Sequence, residues 1–416
     1  MLEMNSKKVL FPGKNSPEVK FIVELGKAFH KCGFSSYALE ERLMEVASKF
    51  NIALQVYSSP TGIFLSFEDQ DAFTTTILRV EPGILDLEKI ALTNEISNRV
   101  LENKITAKEG VDLLKRVMSK DNRFSFWIIV FSYAAVSAMV SIIMGGGLKE
   151  LFVSSFLGLI TGIIFIITNK LNLTRLLEFI CAASVGALSN ILYTTIGPYD
   201  QSVSIISGLI VLFPGLTLIS GIDEIANRNL VSGTTRLSSA IFILMFIVFG
   251  VALGTDLFFP HENSYILNIK NLTFPLPFKY IATLLAPLTF IAILNARTKD
   301  APVMLVSSLL AQIGLYFGNR IISDQIGIFF ASLVLGSFSN SWARFSKGSQ
   351  YIPLISGLIL LVPGVVGYQS LSSFLSKDIN EGIMAAFNMS LRAIALVTGL
   401  LCSNFMISAY KPKKQD

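Results

Sequence analysis

The chain has 416 residues, 34 Lys+Arg against 29 Asp+Glu, a formal charge of +5, 52% hydrophobic residues and a mean hydropathy of +0.60. Only 15% of it is charged, where a soluble globular protein carries roughly 25%. These figures exclude a wholly soluble enzyme, a disordered chain and, because no basic face survives the count, a nucleic-acid binder.

The charge is unevenly placed. Residues 1–123 hold 17 basic and 17 acidic side chains, and residues 124–416 hold 17 and 12. A neutral domain of soluble type is therefore expected first, and a membrane domain after it. Cys32, Cys181 and Cys402 lie far apart, and His30 and His261 are the only histidines. Neither a disulfide framework nor a metal centre is expected. The opening MLEMNSKKVLFPGK lacks the apolar core of a signal peptide, so the first domain is expected in the cytoplasm.

Apolar residues recur at helical spacing through Pro17–Phe50 (Phe21, Ile22, Leu25, Phe29, then Leu39, Leu43, Val46, Phe50), with Gly33 between two helices and Ser35 or Ser36 as a cap. Strand-like runs follow at 52–57, 63–67 and 73–80, with Pro60–Gly62 as a hairpin turn. Helices are then expected over 87–101 and 106–118, the second opening on the capping box Thr106-Ala-Lys-Glu109. This predicts a small α+β domain over 1–123. His30, Cys32, Glu40 and Glu41 fall in one region of it. They could be a hydrolytic or metal centre, but a solvated helix face is the expectation, and no phosphate loop or nucleophile elbow accompanies them.

Ten apolar segments follow, near 124–144, 149–168, 176–196, 202–220, 235–256, 276–294, 301–318, 322–341, 351–373 and 382–409, each about the ~20 residues that cross a bilayer. With the first domain inside, the inner loops and tail hold 11 basic residues (among them Lys170, Arg228, Arg297 and Lys411) and the outer loops hold 5. Positive charge on the inside predicts both termini in the cytoplasm and an even number of spans.

An internal repeat organises the membrane part. ISGLIVLFPG at 206–215 returns as ISGLILLVPG at 355–364, 149 residues on, and Gly186, Asn190 and Gly233 return as Gly336, Asn340 and Gly382. Two related halves, 124–260 and 261–416, each with five spans, must point in opposite directions. That is the inverted-repeat plan of secondary transporters, whose substrate site lies between the halves. Pro-Gly inside a span removes a backbone donor and lets neighbouring backbone come close, which is tolerated only where protein or a wet cavity satisfies the freed groups. The fold expected is a mainly α, polytopic helical membrane protein behind a small α+β domain.

The chain resembles the threonine/serine exporter family over nearly its whole length from about Phe21. The stretches that carry the likeness are SSYALEERLMEVASKFNI (35–52), SSPTGIFLSF (58–67), RVEPGILDLEKI (79–90), LFPGLTLISGIDEIANRNLVSGTTRL (212–237) and LLVPGVVGYQSL (360–371). The resemblance implies an exporter of small hydroxylated amino acids in the inner membrane, driven by the proton-motive force. Similar two-chain relatives are associated with succinate, so a small dicarboxylate is the alternative substrate. The likeness carries Pro214, Gly215, Asp223, Gly233 and Arg236 onto the first motif, and Pro363 and Gly364 onto the second. The bulky Phe213 departs from better-known members.

Among polar groups near or in the spans, Asp223, which follows the broken helix, is a candidate proton carrier, with a structural pair to Arg228 or Arg236 as its alternative; its rivals are Glu178 and Glu224, the latter offset by about 100° on a helix. Arg392, with Asn388 one turn before it, is suited to gripping a substrate carboxylate. Asn190, Asn340, Ser207 and Ser356 could bind substrate or hold spans together. No cofactor is expected. The partners expected are the substrate, protons and the lipid bilayer, with self-association left open. A membrane-tethered hydrolase using the first domain is the rival reading, and a passive channel a weaker one.

Overall fold

The computed structural model describes residues 13, 16–69, 72–81, 83, 85–171, 173–258, 273–321, 323–346, 348–361, 364–375 and 378–407. Pro363, His261 and the tail lysines lie outside the described residues. The chain divides into two compact units. The first comprises residues 1–121 with two later stretches, 220–236 and 342–351. The second comprises 122–219, 237–341 and 352–416.

In the first unit, α1 (Pro17–Lys31) is capped by the Ser16 hydroxyl and buries Phe21, Ile22, Leu25 and Phe29. Its neighbour α2 (Ser36–Lys49) buries Leu39, Leu43 and Val46. Strands β1 (Leu54–Ser59), β2 (Gly62–Asp69) and β3 (Ala72–Arg79) form an antiparallel meander in which Tyr57 faces Phe64 and Phe64 faces Ile77. Ile63, Leu65 and Phe67 alternate inward on β2 and are buried, as period-two patterning requires. Helices α3 (Leu87–Leu101) and α4 (Ala107–Met118) complete this part, and the Thr106–Glu109 capping box forms at the start of α4. The cap of α2 is Ser35, whose side chain makes no capping bond.

The second unit is almost wholly helical. Its spans begin with α5 (Phe126–Ile143), α6 (Leu148–Lys170) and α7 (Leu177–Ile196). The fourth segment is not one helix. It is α8 (Gln201–Leu209), a single 3-10 turn at Ile210–Leu212, and α9 (Gly215–Ala226), with the two arms bent by 57°. Then come α10 (Leu230–Phe258), α11 (Leu276–Ile293), α12 (Ala301–Ile321), α13 (Asp324–Ser346), α14 (Tyr351–Leu361), α15 (Gly364–Leu375) and α16 (Ile379–Met406). Among the described residues nine stretches are long and apolar enough to cross a membrane, or ten if the bent pair counts as one. This is a multi-pass membrane protein. Large side chains stand bare on the spans, such as Phe152, Phe242, Phe249 and Phe387, as they would against lipid.

Close packing recurs between corresponding helices. A Cβ at Gly250 of α10 would meet Ala182 and Ala183 of α7; one at Gly399, 149 residues on, would meet Ser332 and Leu333 of α13. The Asn190 amide on α7 donates to the Thr255 carbonyl on α10 at 2.8 Å, and the Asn340 amide on α13 donates to Asn404 Oδ1 on α16 at 2.8 Å. The first helices of the two sets, α5 and α11, pack against each other.

Candidate functional site at the Pro-Gly breaks

Proline explains the bend. Pro214 has no N–H for the Ile210 carbonyl one turn earlier, and that carbonyl instead receives a long bond of 3.4 Å from Phe213 N–H. Phe213 turns extended (ψ 127), and Gly215 N–H closes back on Phe213 O at 2.8 Å before α9 begins. Pro214 and Gly215 are both buried.

The second motif comes to the same place. A Cβ on Gly364 would stand 3.2 Å from Phe213 Cβ and 3.6 Å from Gly215 Cα. A side chain there would press tightly on Phe213 and touch Gly215, so glycine gives the easiest approach. The Phe213 ring lies 5.4 Å from that of Tyr368, which is itself buried. Met389 of α16 and Leu244 of α10 close over Gly367. The Phe213 and Tyr368 rings and the Met389 thioether therefore gather where Gly364 and Gly367 approach the bend at Pro214.

The other candidates are distributed differently. Asn190 and Asn340 donate across to neighbouring helices, and Asn340 also donates to the Ile407 carbonyl. These bonds join spans, and they use both amide hydrogens of Asn340 and one of the two on Asn190. Ser356 donates back to Ile352 and Pro353 carbonyls of its own helix, and Ser207 lies 3.9 Å from Met144 Sδ. Glu178 sits in the first turn of α7, half-buried. Asn388 and Arg392 are half-buried one turn apart on α16, and Arg392 has no hydrogen-bond or ion-pair partner among the described residues.

Asp223 requires a correction. The sequence placed it beyond the broken helix, paired if at all with Arg228 or Arg236. It lies within α9, because the helix resumes at Gly215 and runs to Ala226. Its partner is Asn227, whose side chain donates to it at 3.2 Å. Arg236 instead pairs with the next acid along, Glu224, at 3.1 Å. Adjacent residues on a helix point about 100° apart, so the two acids have separate surroundings: Glu224 is fully buried, Asp223 half-buried.

The cluster in the first domain also differs from the expected solvated face. His30 and Cys32 are buried in the core. His30 Nε2 donates to the Ser59 carbonyl at 3.2 Å, and burial holds its pKa below the usual value. Burial pushes the Cys32 thiol up to about 12, with Asp86 adding to the effect. A nucleophilic cysteine needs the opposite shift, so this pair is not hydrolytic machinery. Glu40 accepts from Ser58 N–H at 2.7 Å, and desolvation raises its pKa against that bond. Among the described residues no three His, Cys, Asp or Glu side chains are grouped as metal ligands would be.

The sequence offers Glu224 only as a rival proton carrier to Asp223, and does not single out Tyr368. Tyr368 lies four residues after Gly364, one helical turn, and that spacing was a usable signal. The pairing of Glu224 left no such signal, since one of its partners is Ser36, 188 residues away, beside Arg236.

Comparison with known proteins places these features. A family model described as "Putative threonine/serine exporter" matches residues 20–258, and a second, "Threonine/Serine exporter", matches residues 279–406. Curated relatives include Pheromone-regulated membrane protein 10 of Pichia sorbitophila, 27% identical over 86% of this chain and 37% of its own length. The protein of the same name from Saccharomyces cerevisiae is 25% identical over 95% of this chain and 54% of its own. The chain thus spans about a third to a half of the length of these relatives. No solved structure matches.

Proposed function

The chain belongs to the threonine/serine exporter family, and on that premise we propose that it is a secondary exporter of small hydroxylated amino acids such as threonine and serine, driven by a proton gradient. The observation that carries this reading is the close approach of Gly364, from the second Pro-Gly motif, to the break at Phe213–Gly215. Broken helices at corresponding places of two halves are where transporters of this plan hold their substrates.

The two halves are an inverted repeat in one cell membrane, with both termini in the cytoplasm. Supporting this are the matching order of five segments in each half and the equivalent α7–α10 and α13–α16 contacts. The basic loops support the orientation.

Substrate is held by its carboxylate on Arg392, with Asn388 beside it. Arg392 carries no protein partner among the described residues, and an unpaired guanidinium at membrane depth is costly unless it has a ligand or water to meet. Pro214, Gly215 and Gly364 shape the backbone at the bend. The Phe213 and Tyr368 rings narrow the space, which favours a small substrate. Asp223 is the proton carrier, with Glu178 as its alternate. Asn190 and Asn340 keep the spans in register, and the Ser356 hydroxyl is taken up by its own helix.

Counterflow of labelled threonine in proteoliposomes tests the Arg392 assignment. Arg392→Leu should insert normally and lose at least about tenfold in exchange, the factor expected from losing a charge-assisted contact worth about 1.5 kcal/mol or more. Arg392→Lys should retain part of it, because a point charge replaces a planar fork. Normal exchange by Arg392→Leu would remove it from the site.

A further inference from the structure

The first compact unit holds a feature the export reading does not use. Helix α9 leaves the break at Gly215, and from Ser220 onwards it belongs to the unit that contains the amino-terminal domain. There the Glu224 carboxylate, wholly buried, receives Ser36 N–H at 2.8 Å. Ser36 is the first residue of α2, so the carboxylate caps that helix and meets the positive end of its dipole. The same Oε1 atom receives Arg236 Nε at 3.1 Å. Arg236 in turn donates to the Phe34 carbonyl at 3.3 Å, and the Ser36 and Ser232 hydroxyls lie 2.8 Å apart. The Phe34 ring lies tilted, 4.5 Å from the ring of Tyr351, which opens α14.

Two observations set this apart from ordinary packing. First, the other Glu224 oxygen is buried without a hydrogen-bond partner. A buried ion pair of this kind adds little net stability, whereas a single unpaired partner is expensive, so the contact has a sharply defined engaged state. Second, the repeat does not reproduce it. Counting 149 residues on, Glu224 corresponds to Ser373 and Arg236 to Ala385. The helix crossing itself does recur: a Cβ at Gly233 would strike Ile225, and one at Gly382 would strike Phe374, the equivalent residue. The hairpin of α9 and α10 therefore does not need the ion pair to form. What the ion pair adds is contact with the amino-terminal domain at Phe34 and Ser36.

We propose that Glu224 is a positioning residue that latches the outgoing end of α9 to the amino-terminal domain, so that the break at Pro214 rearranges only when the latch releases. This makes the amino-terminal domain a gate element acting on one half alone, and it rests on the export reading for the use to which that gate is put.

The test is a reversible lock on the full chain. Ser36→Cys with Ser232→Cys, in a Cys32→Ser background, places two thiols where the hydroxyls touch. A third cysteine, Leu212→Cys beside the break, reports its exposure through the rate of thiol labelling, read by peptide mass spectrometry. Closing the disulfide should slow labelling of position 212 at least about tenfold, and reduction before labelling should restore it. Without the lock, Glu224→Ala should speed labelling by a similar factor and the isosteric Glu224→Gln by less, because its amide oxygen still accepts from Ser36. Equal rates in locked and reduced protein, or unchanged rates in both Glu224 variants, would overturn the latch. The readout involves no transport, so loss of the export reading would leave this result standing, and the reverse.

Discussion

At the scale of single residues, tight backbone crossings and buried titratable groups give the sharpest expectations. Gly233 has Gly221 O and Ile225 pressed to within 2.6 Å of where a Cβ would stand. Gly233→Val must therefore push α9 and α10 apart. Overpacking of this kind costs about 1–3 kcal/mol, and the thermal midpoint of the purified protein should fall accordingly. His30 is buried with its pKa lowered, so the folded state binds its proton less readily than the unfolded state does. Its stability contribution is complete above the unfolded value of about 6.5 and is lost as pH falls below it. Glu40 and Glu41, raised by burial, act oppositely near and above 4.5. The diagnostic is thus the difference between wild type and His30→Gln: between pH 7 and 5.5 the wild type should lose more stability than the variant. Equal losses would mean that His30 is not the group responsible.

At the scale of elements, the helices of the first domain, its hairpin and the Thr106 capping box were legible because local rules decide them. Apolar spacing, a Pro-Thr-Gly turn and a Thr-x-x-Glu signature need no tertiary information. The spans were legible for a similar reason, since hydropathy alone selects them. The bend in the fourth segment was foreseen as a break, but its far arm was not. Gly215–Ala226 carries polar residues that an apolar window discards, so Asp223 and Glu224 were left outside a helix that contains both. Pro214→Ala restores the donor that the Ile210 carbonyl lacks. The two arms should then approach a continuous helix, with insertion unchanged and threonine efflux much reduced; distances between spin labels on α8 and α9 would register the straightening, and an unaltered distance distribution would argue that the bend is set by packing instead.

At the scale of the whole molecule, sequence alone suggested two halves, and the equivalent α7–α10 and α13–α16 contacts support that division. What sequence could not reveal is which candidate polar residues meet. Side chains such as Asn190 and Glu224 find partners 65 and 188 residues away, and no local pattern encodes such pairings. The inverted arrangement makes a prediction of its own. Leu173 and Ser323 occupy corresponding loops, before α7 and before α13. Single cysteines there should be labelled by an impermeant reagent from opposite sides of the membrane, and labelling from one side would leave only a parallel repeat. The central claim is export, and efflux from proteoliposomes loaded with labelled threonine, serine or succinate tests it most directly. With an imposed pH gradient, threonine or serine should leave faster than without it, and succinate should not respond. Efflux of neither amino acid above empty liposomes, or a response confined to succinate, would contradict the account.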